Sequence, residues 1–219
     1  MAEVIDIKRV EVGPKFVTAR IHVDESAPLM TSEDLEATTR VYRLLPHIID
    51  HACLGDHGKT FKEAMGDTEL AHLIEHVTVE LLAQTNIAGD VTYGRTYAIK
   101  GDPRTFEIEF PCPDDALVVG ALSSAVWIID WAFTGGGEPE PDVQATVHGL
   151  VALIESLPTP PEPPASEREY VVEGDEAKAI LVELGMLEAP EEAEAAPADE
   201  PEPLDFEDDQ DAELDAFDL

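Results

Sequence analysis

Glu69-Leu70-Ala71-His72-Leu73-Ile74-Glu75-His76-Val77-Thr78-Val79-Glu80-Leu81-Leu82-Ala83-Gln84 decides how this chain folds. Leu70, Leu73, Ile74, Val77 and Leu81 recur at three- and four-residue spacing, the pattern of a helix with one face in a core. His72, Glu75, His76 and Glu80 fall on the other side. At about 100° per residue, His72 and His76 stand one turn apart and can point at a single ion, with Glu75 between them. The pattern predicts a helix from about Asp67 to Asn86, ending near Gly89, that presents two imidazoles and a carboxylate.

On either side the periodicity changes. Val4 to Val12 and Phe16 to Val23 alternate apolar and polar residues across Gly13-Pro14, a hairpin signature. A helix is expected from Ser32 to Leu45, capped by Thr31 or Ser32, with Pro46 re-aiming the chain and His47 to Cys53 forming a short further turn. Val91 to Lys100 and Thr105 to Phe110 read as a second strand pair across Gly101-Asp102-Pro103. Asp114 or Asp115 starts a long apolar helix that ends before Gly135-Gly136-Gly137, and Asp142 to Leu157 reads as a last core helix. Trp127 and Trp131, four apart on the apolar helix, are expected in the core. The order strand-strand, helix, strand-strand, helix implies an α+β fold, a mostly antiparallel sheet with helices on one face.

The expected domain therefore spans residues 1–157. A proline-rich linker follows at 158–166, then a short strand and helix within 167–187 (Tyr170-Val171-Val172 and Ala177 to Met186). Residues 188–219 hold fifteen acidic residues and no Lys or Arg, a composition expected to stay disordered because little apolar surface offsets its ordering entropy. Leu204, Phe206, Leu214 and Phe217 in that acidic background could dock against a basic groove on a protein partner.

The whole chain of 219 residues carries 48 acidic against 13 Lys and Arg residues, a formal net charge of −35. No basic footprint exists for nucleic acid or an anionic membrane, so neither is expected as a partner. Cys53 and Cys112 make no disulfide framework and suit a reducing compartment. Met1-Ala2-Glu3-Val4-Ile5-Asp6 lacks the basic and apolar regions of a secretory signal. Ala116 to Phe133 carries Asp130 and reads as a buried helix rather than a membrane span. The expected location is the cytoplasm.

His72-Leu73-Ile74-Glu75-His76 matches the H-x-x-E-H pattern of inverzincins. Two neutral imidazoles and one further ligand leave a zinc ion an open position for water, with Glu75 as general base. With the element order, this helix resembles the fold shared by pitrilysin-type metallopeptidases and S-ribosylhomocysteinase. Leu45-Pro46-His47, His51-Ala52-Cys53, Gly58-Lys59-Thr60-Phe61, Gly66-Asp67-Thr68, His72 to Val77, Glu80-Leu81 and Gly94-Arg95-Thr96 together resemble the N-terminal domain of cyanophycin synthetases, over Leu45 to Thr96.

In that family an ATP-grasp module and a Mur-ligase-like module follow. Neither is expected within these residues, which contain no G-x-x-x-x-G-K-[ST] phosphate loop, so ligase activity does not carry over. The resemblance implies instead a zinc-dependent hydrolase site that cleaves a peptide-like polymer, with His72 and His76 as ligands and Glu75 as base. His51 and Glu80 are the leading candidates for the third ligand, with Cys112 next, at the position where S-ribosylhomocysteinase-like enzymes supply a thiolate. Arg95 is a candidate for binding a substrate carboxylate or an oxyanion. The chain departs from the family pattern at Gly58-Lys59-Thr60-Phe61, where Gly-Gly-Phe is usual. At Gly94-Arg95-Thr96-Tyr97 a second arginine that could pair with a carboxylate is missing.

The expected activity is thus zinc-dependent hydrolysis of an amide or peptide bond in a cyanophycin-like polymer or related peptide. Two rival readings are a non-catalytic interaction module working through the acidic tail and a regulatory partner of a separately encoded ligase. The sequence leaves homo-oligomer formation open.

Overall fold

The computed structural model describes residues 4–53, 58–89 and 91–158, which fall within the first compact unit of the chain, Met1–Pro160. Strand β1 (Ile5–Val12) and strand β2 (Phe16–Val23) form the expected hairpin, closed by the Gly13 N–H donating to Phe16 O at 2.8 Å. Strand β3 (Arg95–Ile99) and strand β4 (Asp102–Pro111) form the second. All neighbours pair antiparallel, in the order β1-β2-β4-β3, so the two hairpins join through their central strands.

The side-chain period of two sorts the faces of this sheet. Val17, Ala19, Ile21 and Val23 of β2 are buried opposite Phe110, Ile108 and Phe106 of β4. On the other face Arg20 pairs with Glu107, and His22 Nδ1 lies 2.9 Å from Thr105 Oγ1. Helix α3 (Leu70–Thr85) and helix α4 (Asp115–Phe133) lie on the apolar face, and helix α5 (Val143–Ser156) packs against both. The fold is α+β, with an antiparallel sheet and its helices on one face, as the alternation and helix periods imply.

Several boundaries differ from the sequence expectation. Thr31–Glu33 is a 3-10 turn, and helix α1 (Leu35–Leu44) begins after it because Asp34, rather than Thr31 or Ser32, caps the helix by accepting from Ala37 N at 2.9 Å. Pro46–Asp50 is a second 3-10 turn, and the short helix α2 (Phe61–Ala64) follows. The β3–β4 turn is tighter than expected: Ile99 pairs with Asp102, Gly101 takes φ +88°, and Pro103 lies inside β4. It is tolerated there because β2 pairing stops at Thr105 and the β3 register is irregular beyond Ala98.

Helix α4 has the length and apolarity of a membrane span, yet half of it is buried in this fold. Leu117, Val118, Ala121, Leu122, Ala125, Ile128 and Ile129 face the core, and Asp130 Oδ1 accepts from the amides of Val4 at 2.8 Å and Ile5 at 3.1 Å. The core expectation for the tryptophans is corrected. Trp127 is 41% exposed, and Trp131 is only partly buried, its Nε1–H donating to Gly137 O at 2.6 Å. Their spacing matches Gly120 and Ser124, a less buried face of α4 on which Gly120 meets Leu150 of α5. The expected linker beyond Pro158, the strand and helix within 167–187 and the acidic tail lie outside the described residues.

Candidate metal centre

Helix α3 is buried nearly all round, including its polar stripe: Glu75 is 6% exposed, His76 3% and Glu80 5%. A solvated His/Glu face is thereby excluded, and each of these groups must find a partner inside the fold. The cover comes from the segment just upstream. Ala52 bridges Thr60, Cys53 N donates to Lys59 O at 3.1 Å, and Phe61 N donates to His51 O at 2.9 Å. This clip lays His51 and Cys53, two residues apart on extended backbone, over α3.

Phe61 completes the enclosure. Its ring stacks on His76 with centroids 3.8 Å apart and meets His72 edge-on at 5.3 Å. The imidazoles are thus fixed from behind by a fully buried aromatic. Sequence reading assigned Phe61 no role; its place in Gly58-Lys59-Thr60-Phe61 was the available signal.

Three donor atoms converge. His76 Nε2 lies 3.2 Å from His72 Nε2, and Cys53 Sγ lies 3.5 Å from His72 Nε2. All three ligand atoms fall within 4.8 Å of one another, the one such group among the described residues. Two nitrogens each about 2.05 Å from a tetrahedral zinc stand about 3.3 Å apart, and such a nitrogen stands about 3.6 Å from a thiolate sulfur at about 2.3 Å. The two separations measured from His72 Nε2 thus match those of a tetrahedral zinc site, and the third, from His76 to Cys53, is within 4.8 Å. Burial, with the neighbouring His72 and His51, pushes the pKa of His76 down to about 2, so His76 is neutral as a ligand must be.

The other sequence-predicted residues take different places. His51 Nε2 lies 2.7 Å from Glu80 Oε2, and His51 Nδ1 lies 3.3 Å from His76 Nδ1, so both residues stand behind His76. Glu80 Oε1 also accepts from Gln84 Nε2 at 2.8 Å. Burial raises the Glu80 pKa, but the hydrogen bonds from His51 and Gln84 outweigh it and hold the carboxyl below its usual value. The carboxylate lines a cleft of about 670 Å³ with Arg43, His47 and Gln144. Cys112 follows β4, its N–H donating to Lys15 O at 2.9 Å, and does not join the donor group. Burial and the nearby Asp115 and Asp114 raise its thiol pKa.

Glu75 is clamped by the segment leading into β3. Thr96 Oγ1 donates to its Oε2 at 2.6 Å, and the Gly94 N–H also favours the charged form, while burial, the larger effect, raises the pKa overall. A Cβ on Gly94 would stand 2.6 Å from Glu75 Cγ, so glycine is required here by close approach. Val91 to Gly94 lie outside the strand, which begins at Arg95 rather than at Val91 as expected. Arg95 is exposed, with its guanidinium 5.8 Å from the centre of the Tyr93 ring, and makes no ion pair among the described residues.

This α+β domain brings Cys53, His72 and His76 together, two of the three buried, as a group able to hold a metal ion. A family model described as the cyanophycin synthase-like N-terminal domain matches residues 19–133, just over half of the 219 residues, and the chain belongs to that family. No curated protein matches the chain by sequence.

Proposed function

We propose that this chain is a zinc-dependent hydrolase of an amide bond, with Cys53, His72 and His76 as metal ligands and Glu75 as general base. The observation that carries the proposal is the donor geometry: two nitrogens 3.2 Å apart and a sulfur 3.5 Å from one of them. Three donors among the described residues match the number of protein ligands in a catalytic zinc site. Zinc there supplies Lewis acidity, polarising a carbonyl and making water ionise near neutral pH.

Glu75 has the properties of the base. Thr96 fixes Oε2, so the carboxylate is oriented before substrate arrives. Its raised pKa brings it closer to working pH, where a base transfers protons most effectively. It immediately precedes the ligand His76 on a buried helix, which excludes bulk water from the reacting groups.

The substrate class follows from the family together with the exposed Arg95 on β3, which suits a substrate carboxylate: a cyanophycin-like polymer or a related peptide. The test is metal content by mass spectrometry for the wild type, Glu75→Gln and a His72→Ala/His76→Ala double variant, with hydrolysis of an aspartate–arginine polymer and of generic peptides. Stoichiometric zinc in the first two, its loss in the third, and cleavage by the wild type alone are the expected results. A metal-free wild type refutes the proposal.

A further inference from the structure

We infer that His51 and Glu80 are a positioning relay that sets the tautomer and orientation of His76, standing behind the metal ligands rather than among them. The inference rests on the metal-centre reading above and adds two residues to it. Its basis is a count of protons along a line of contacts. The Glu80 carboxylate accepts at Oε1 from Gln84, so at Oε2 it takes the proton of His51 Nε2 at 2.7 Å. With its Nε2 proton directed to Glu80, His51 turns Nδ1 toward His76 Nδ1 at 3.3 Å, where it accepts the N–H. That fixes the proton of His76 on Nδ1 and turns the Nε2 lone pair toward His72.

On the other side of the pair, Thr68 Oγ1 lies 2.8 Å from His72 Nδ1, so that imidazole is held through the same ring atom as His76, and its Nε2 stands 3.2 Å from His76 Nε2. The outer partners thus orient the ring nitrogens that the ion needs, and a carboxylate–imidazole–imidazole line raises the basicity of His76 as a ligand.

Neither His51 nor Glu80 belongs to the group of converging donors, and both are engaged behind it. His51 spends Nδ1 on His76 and Nε2 on Glu80, and Glu80 spends its two oxygens on His51 and Gln84.

Cobalt(II) binding to the full chain tests the inference, because its visible bands report ligand type and number. Titrations with Co²⁺ compare the wild type, Glu80→Gln and His51→Ala, with circular dichroism of each metal-free protein as the check on folding. The expected result is affinity lower by roughly 10- to 100-fold in His51→Ala and by about tenfold in Glu80→Gln, with ligand-field and thiolate charge-transfer bands unchanged. Bands that shift or lose intensity in either variant would make that residue a direct ligand and overturn the inference. Unchanged affinity in a folded variant overturns it equally, and Glu80→Gln, which preserves shape, decides the matter should His51→Ala fail to fold. A wild type that takes up no Co²⁺ removes the metal-centre reading itself, and the relay with it. Binding that is indifferent to both substitutions removes the relay alone.

Discussion

Replacing Gly94 by alanine tests whether the Glu75 clamp is as tight as its geometry states. The added Cβ would lie 2.6 Å from Glu75 Cγ, 3.1 Å from its Cδ and 3.2 Å from Glu109 O. Carbon atoms in ordinary contact stand about 3.5–4.0 Å apart, so Glu75 must retreat by about 1 Å. It cannot do so and keep the 2.6 Å bond from Thr96. Overpacking costs about 1–3 kcal/mol, and a hydrogen bond to a carboxylate is worth about 1.5–3 kcal/mol; giving up the bond relieves part of the clash, so the two do not add in full and a total of about 2–4 kcal/mol is expected. No positive φ contributes at this position, so the cost is steric. For a domain of this size the melting temperature should fall by roughly 5–15 °C. A double-mutant cycle isolates the cause. In a Glu75→Ala background Cγ and Cδ are gone, and Gly94→Ala should then cost under about 1 kcal/mol. Gly149→Ala, on the exposed side of α5 with nothing within 4 Å, is the control and should stabilise by about 0.5–1 kcal/mol. An equal cost of Gly94→Ala in both backgrounds would refute the clamp.

Three further outcomes are expected. Zinc should protect Cys53 from alkylation while leaving the slow reaction of Cys112, whose thiol pKa is raised, unchanged, and Cys53→Ser should abolish the thiolate charge-transfer band of the Co²⁺ form; peptide mapping and absorption spectroscopy read these effects. In the metal-free protein His76 stays neutral down to about pH 2, whereas an unfolded histidine protonates near 6.5, so acid favours the unfolded chain. Stability should fall by about 1.4 kcal/mol for each pH unit below about 6.5 on account of this group, and urea titrations between pH 7 and 5 should show a shallower slope in His76→Asn; equal slopes would refute the assignment. Asp130→Ala should cost about 2–3 kcal/mol and speed hydrogen exchange at the Val4 and Ile5 amides, since one carboxylate oxygen holds both.

Local patterns made much of this architecture readable. Helix α3 showed in the spacing of Leu70, Leu73, Ile74, Val77 and Leu81, and the start of α4 showed at Asp114 or Asp115, of which Asp114 proves to be the cap. What the chain did not disclose depends on contacts between distant segments. Cys53 reaches His72 only because the Ala52–Thr60 bridge folds its segment over α3, and nothing in the neighbourhood of Cys53 signals that bridge. His51 and Glu80 were legible as candidates for the third ligand, but whether either would face the ion depended on how the clip sits behind His76. Gly94 to Thr96 stood out as a sequence feature, yet its grip on the Glu75 carboxylate belongs to the packing of β3 against α3.

The bonds from Asp130 to Val4 and Ile5 bear on how this domain can be excised for study. The span recognisable as family, residues 19–133, starts halfway along β2 and stops at the last residue of α4. A fragment cut at those limits would deprive β4 of the Val17–Phe110 and Thr18–Glu109 pairings, strip Asp130 of the two amides it serves, and remove Leu150, whose side chain covers Gly120. Such a fragment would present raw strand edge and bare apolar helix, the conditions for aggregation in an expression host. Boundaries for recombinant work belong ahead of β1 and beyond α5, so the portable piece of this protein is longer than the piece by which its kinship is known.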